Sequence, residues 1–173
     1  MYFPLRISFL PRCSNGTVTF DVIFGPAYKG IPLAAVVSSA LYAEYGINVD
    51  YAYNRKETKG HGEKGLLVGA SMKNKRVLII DDVITAGTAI RESVNMLKSI
   101  DAIPIGVSIA LDRMEKVSLE DPISAVQGVM RDLDIPVVPI ITLPQLQAYI
   151  SSCSYETDLV DSIAAYRTMY GVN

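Results

Sequence analysis

Cysteine is scarce in this chain. Only Cys13 and Cys153 occur in 173 residues, far apart and in no metal-ligand spacing, which argues against a disulfide scaffold and for a reduced, cytoplasmic protein. Long apolar runs are lacking too. Half the residues are hydrophobic, yet no stretch approaches the ~20 residues that a membrane span needs. Pro4, Arg6, Pro11 and Arg12 interrupt the front of the chain, which speaks against a secretory signal. No acid precedes Asp21, so an organellar presequence stays open. There is no basic excess either. Sixteen Lys and Arg face eighteen Asp and Glu, a formal net charge of -2, which argues against a nucleic-acid partner. That balance leaves small anionic ligands open, because a few local cations suffice to hold them. Histidine occurs once, at His61.

What is present fits one globular domain, long enough to bury a core without cross-links. Residues 1–19 show no clean period and read as a leader, with the domain over 20–173. FDVIF, residues 20–24, is a short apolar run stopped by Gly25-Pro26, the signature of a buried strand. Pro32 opens an alanine-rich helical stretch that Gly46 closes. Strands are expected at 51–54, 66–69, 76–80, 103–111 and 136–140, and helices at 89–100, 122–132 and 156–170. Buried strands alternating with helices predict a doubly wound, mainly parallel α/β sheet with helices on both faces.

Such sheets bind ligands beyond the carboxyl ends of their strands. Four loops with unusual chemistry leave those positions. In VLIIDDVITAGTA, residues 77–89, an apolar strand delivers Asp81 and Asp82, and Val83 and Ile84 lead into Thr85, Ala86, Gly87, Thr88 and Ala89. Small residues at the start of a helix let backbone N–H groups and hydroxyls close around a phosphate, and an acid pair suits neighbouring sugar hydroxyls. Together these describe a ribose 5-phosphate site. A solvated helix cap, or a metal site such as signalling domains carry, reads from the same residues. GPAYKG, residues 25–30, places Tyr28 and Lys29 in a tight turn, where a lysine is more often just solvated. The 54–65 loop carries Arg55, Lys56, Lys59, His61 and Lys64 among three glycines; it can close over a charged ligand or be a solvated hairpin tip. ALDR, residues 110–113, ends a strand with Arg113, suited to gripping a planar carboxylate or to a surface ion pair.

The 77–89 segment resembles the phosphoribosyl-diphosphate motif of the type I phosphoribosyltransferases, and RKETKGHGEKG with ALDR resembles the orotate branch of that family. The resemblance covers residue 20 to about 170. It implies transfer of a phosphoribosyl group from phosphoribosyl diphosphate to orotate in pyrimidine nucleotide synthesis, with Asp81 and Asp82 on the ribose hydroxyls and Thr85 to Ala89 on the 5-phosphate. It places Tyr28, Lys29, Arg55, Lys56, Lys59 and His61 at the diphosphate, Arg113 at the orotate carboxylate and Thr85 near the ring. It further implies magnesium held mainly through the diphosphate and water, and a homodimer sharing its active sites. Family members carry an amino-terminal hood with Lys-Ser-Gly-Arg and Pro-Tyr-Phe segments. Residues 1–19 contain neither, so a hood is expected to be absent or reduced, and a weakly active or inactive paralogue that binds phosphoribosyl diphosphate or pairs with a full-length enzyme is the alternative.

Overall fold

The computed structural model describes residues 19–57, 66–118, 122–153 and 157–172. Six strands form one sheet: β1 (Val22–Gly25), β2 (Asp50–Asn54), β3 (Leu67–Gly69), β4 (Arg76–Val83), β5 (Ile103–Asp112) and β6 (Val137–Thr142). Five helices accompany them: α1 (Gly30–Tyr45), α2 (Thr88–Ser99), α3 (Ala125–Leu133), α4 (Leu143–Ser152) and α5 (Thr157–Tyr170). The sheet order is β3-β2-β1-β4-β5-β6. All neighbours are parallel except β3, which runs antiparallel along the edge of β2. The chain moves outward from β1 to β3, then returns to lay β4 on the other side of β1. The crevice between β1 and β4 is therefore the switch point where such sheets accept ligands.

Strand alternation builds a core on each face. Val22 and Phe24 of β1, with Val77 and Ile79 of β4, join α2 and α3 through Ile90, Val94, Leu97, Val126 and Val129. Ile23, Leu78 and Ile80 point the other way, against Ala34 and Leu41 of α1. This period of two on strands buried on both faces is why they read as continuous apolar runs. Phe24 is fully buried, and its replacement by Ala should cost about 3–5 kcal/mol.

The expected doubly wound architecture is present, with three differences of detail. β4 runs to Val83, so the acid pair lies within the strand, where Asp81 pairs in register with Ile109. α3 starts at Ala125 because Ser124 caps it, accepting from Gln127 N while Gln127 returns a bond to Ser124 N. α4 was not foreseen. Its start is fixed by a second capping box, Thr142 with Gln145, and by Pro144 in the first turn, the T-x-x-Q and early-proline signals that could have revealed it.

Candidate active site

β1, β2, β4 and β5 are parallel, so the loops after Gly25, Asn54, Val83 and Asp112 leave the same edge of the sheet. Backbone crowding prepares the first of them. A Cβ on Gly25 would lie 2.1 Å from the carbonyl oxygen of Gly30, and one on Gly30 would lie 2.8 Å from that of Ile80. The turn is thereby pressed against β4. The Ala27–Tyr28 peptide in it is cis, and Ala27 N donates to Asn54 Oδ1 at 2.9 Å. Asn54, which sequence reasoning passed over, ties the loop after β1 to the end of β2.

This placement brings Lys29 to the acid pair. Its Nζ donates to Asp82 Oδ2 at 2.6 Å, and Asp81 Oδ1 accepts from Asp82 N at 2.9 Å. The two carboxyls differ as a result. Burial pushes Asp81 above the usual carboxylate range, with the charge of Asp82 adding to it and the Asp82 N–H opposing. Burial also pushes on Asp82, but hydrogen bonds from Lys29 and the Val83 N–H outweigh it and hold that carboxyl low. Lys56 reaches the same area, its Nζ 4.8 Å from the centre of the exposed Tyr28 ring, a cation–π distance.

Residues 83–90, with Asp81, line a cavity of about 290 Å³. Gly87, at φ 77°, turns the chain into α2, and no side chain caps the helix, so its first N–H groups face outward for an anion. Thr85, Ala86, Thr88 and Ala89 are exposed, whereas Ile84 is buried and belongs to the core. Arg91 braces the loop: Nη1 donates to Ala86 O at 2.8 Å and Nη2 to Asp132 Oδ2 at 2.7 Å on α3. Hydrogen bonds from Arg91 and then Arg131 hold Asp132 below its ordinary range. Arg91 and Asp132 carry no motif signal, because their role depends on helix packing.

Across the cavity mouth, Arg113 Nη2 donates to Thr85 Oγ1 at 3.3 Å and lies 3.1 Å from Glu115 Oε2. Its Nε is buried without a hydrogen-bond partner among the described residues. Arg55 closes the base of the basic loop, its backbone N–H bonded to Leu66 O at 2.7 Å. Lys59 and His61 lie outside the described residues. A larger hollow of about 510 Å³ sits between β3 and the end of α2; its charged residues, Lys73 and Asp101, pair with each other at 3.4 Å, and no described residue of the four loops lines it.

Among the described residues, no helix is long and apolar enough to cross a membrane, and no group of three or more His, Cys, Asp or Glu side chains is placed to hold a metal ion.

The sequence pattern of the phosphoribosyl transferase domain matches residues 12–132. Orotate phosphoribosyltransferase of Chromobacterium violaceum is 53% identical over 156 residues, covering 90% of this chain and 71% of that protein. Its counterpart in Thiobacillus denitrificans is 52% identical over 155 residues, with the same coverage. The crystal structure of the Francisella tularensis orotate phosphoribosyltransferase superimposes with a TM-score of 0.75 at 42% identity, over 89% of this chain and 72% of that one. With the acid pair, the loop leading into α2 and Arg113 gathered on one edge of the sheet, these likenesses show that the chain belongs to the orotate phosphoribosyltransferase family.

Proposed function

We propose that this protein transfers the 5-phosphoribosyl group of phosphoribosyl diphosphate to a ring nitrogen of orotate, giving orotidine 5'-phosphate and diphosphate in pyrimidine nucleotide synthesis. The observation that carries the reading is a cavity lined by Asp81 and the uncapped start of α2, with the Lys29–Asp82 pair beside it and Arg113 bonded to Thr85 of its lining. The named enzymes at about 50% identity support it and do not favour the alternative of an inactive binding partner.

In this reading the N–H groups and hydroxyls of Thr85 to Ala89 bind the 5-phosphate, and Asp81 and Asp82 accept hydrogen bonds from the ribose hydroxyls. Tyr28, Lys29, Arg55 and Lys56 face the diphosphate, with Lys59 and His61 assigned there from the sequence. As the bond from the anomeric carbon to diphosphate breaks, positive charge grows on the ribose. The acid pair lies near that charge, and the cations meet the charge that departs. Arg113 donates to the orotate carboxylate and so presents the ring nitrogen to the anomeric carbon, which leaves positioning and electrostatics to carry the reaction.

The donor set fits magnesium brought in on the diphosphate. Two adjacent carboxylates, one already paired with Lys29, do not make a cage, and magnesium at phosphates keeps several waters. When bound, magnesium supplies neutralisation of the diphosphate charge.

We also assign a homodimer. Pro32, Val36, Ser39 and Ala43 form an exposed stripe along α1, whose sixteen residues include one charge, Glu44. Tyr42 beside it is 65% exposed, and a surface helix apolar all round calls for a covering partner. The unpaired cysteine spacing supports a cytoplasmic location. The deciding experiment is a steady-state assay with orotate, phosphoribosyl diphosphate and magnesium. Orotidine 5'-phosphate should form, and absence of product from a folded chain that still binds phosphoribosyl diphosphate would overturn the reading.

A further inference from the structure

The carboxyl-terminal helix reaches into the neighbourhood of Arg113. Glu115 lies two residues beyond it, and its side chain is only 15% exposed. One carboxylate oxygen meets Arg113 Nη2 at 3.1 Å; the other accepts a hydrogen bond from the hydroxyl of Tyr166 on α5. That bond is the main reason the Tyr166 phenol stays protonated above its usual range. Tyr166 is steadied by Tyr170, whose ring centre lies 5.0 Å away at a 51° tilt.

The backbone fixes the same contact. Lys116 N donates to Tyr170 O and Val172 N to Met114 O, both at 2.9 Å, and Glu115 bridges Gly171 in antiparallel fashion. Met114 adopts φ 55° while its N–H is held by Asp112 Oδ1 at 2.8 Å. Residues 112–116 are thus pinned at one end by β5 and at the other by the last residues of the chain. The guanidinium of Arg113 stands between Glu115 and Thr85 with its Nε unpartnered. Long cations lose rotamer freedom when they bind in a fixed geometry, so a guanidinium already held in place loses less on binding.

We propose that Glu115 and Tyr166 are positioning residues for acceptor specificity: α5, through the Tyr166–Glu115 hydrogen bond, aims Arg113 at the carboxylate of the pyrimidine. This rests on the assignment of Arg113 to that carboxylate. In this assignment Arg113 meets the substrate, and Glu115 and Tyr166 act through it. Their influence should therefore fall on the acceptor and not on the sugar diphosphate, which binds on β1 and β4.

The test compares Tyr166→Phe, Glu115→Gln and Arg113→Ala in the full chain. Orotate and phosphoribosyl diphosphate KM, kcat, thermal midpoint and the preference for orotate over uracil, which lacks the carboxylate, are measured for each. Tyr166→Phe should raise KM for orotate about three- to tenfold, the effect of one hydrogen bond, and shrink the orotate-to-uracil preference. KM for phosphoribosyl diphosphate should stay within about twofold. Glu115→Gln, which keeps an acceptor for Tyr166 but removes the negative charge that holds Arg113, should act in the same direction. If Arg113→Ala raises KM for orotate while the other two leave it and the preference unchanged, the positioning role is overturned and the assignment of Arg113 stands. If both KM values rise together with a fall in thermal midpoint, the contact is merely structural and the proposal is again overturned. An unchanged orotate KM in Arg113→Ala would instead overturn the carboxylate assignment itself.

Discussion

Gly87 offers a quantitative test of how the phosphate loop is built. Its φ of 77° is one that residues with a Cβ adopt reluctantly, and an added Cβ would lie 2.5 Å from both Arg91 Nη1 and Val129 Cγ2. Two costs therefore combine in Gly87→Ala. The left-handed backbone costs about 1–2 kcal/mol, partly offset by ~0.4–1 kcal/mol from a less flexible unfolded chain. Crowding against α3 and Arg91 adds roughly 1–3 kcal/mol. The total is about 1–5 kcal/mol, and at roughly 2–4 °C of Tm per kcal/mol for a chain of this size, Tm should fall by about 2–18 °C. Gly46, which ends α1 at φ 66° with nothing within 4 Å of an added Cβ, separates the two terms. Gly46→Ala bears only the backbone cost and should lower Tm by about 2–4 °C. The loop must also shift away from Arg91, which holds Ala86 O, so phosphoribosyl diphosphate affinity should drop at least about tenfold, or 1.4 kcal/mol, in Gly87→Ala and stay unchanged in Gly46→Ala. Scanning calorimetry and titration calorimetry read the two effects. Equal Tm losses in the two variants, with affinity intact in both, would refute the crowding argument.

Replacing Asp81 and Asp82 together by Asn should weaken binding of magnesium-loaded phosphoribosyl diphosphate; unchanged calorimetric affinity would remove the acid pair from the site. Asp81→Asn alone should raise Tm at pH 7, because a carboxyl whose pKa is raised on folding destabilises the fold once ionised. That gain should vanish below roughly pH 4, where the carboxyl is protonated in the unfolded chain too, and a gain that persisted there would point to a cause other than charge. For the same reason, affinity should decline as acid protonates Asp81 first, since Lys29 holds Asp82 ionised longer. Lys59→Ala should lower kcat more than affinity, as befits a loop that contributes once closed; collapse of binding with turnover intact would make the loop a docking element. If the proposed homodimer forms through α1, light scattering should find a dimer for the parent chain and a monomer for Tyr42→Glu; a dimer in both would move the interface off α1, and a parent monomer would overturn the assignment.

The strands and most helices were legible because each is a local pattern. The apolar runs over 20–24 and 76–80 and the closing glycine at 46 state their structure within a few residues. α4 was missed because β6 runs directly into it without a turn, which left its capping signals unmarked by a loop. The candidate site was legible to the extent that it is written in contiguous residues, as in Asp81 to Ala89. Lys29 and Arg113 could be named as cations, but their partners could not. The Lys29–Asp82 pair spans 53 residues of sequence, the Arg91–Asp132 pair 41 and the Tyr166–Glu115 bond 51. Such contacts come from the sheet order and helix packing and leave no spacing in the chain.

Under the proposed site assignment, the Lys29–Asp82 ion pair makes ligand entry an exchange reaction. Each partner already holds the other as an internal competitor. A free phosphate can draw Lys29 away only by leaving Asp82 without its counter-ion beside the half-buried Asp81, and a sugar without phosphate must displace the ammonium from the carboxylate it approaches. A molecule bearing both hydroxyls and phosphates satisfies the two groups at once and meets neither penalty. Selectivity for the complete sugar diphosphate thus exceeds what its parts would suggest. Because the Lys29 side chain is 74% exposed and such contacts are screened by salt, that selectivity should narrow as ionic strength rises.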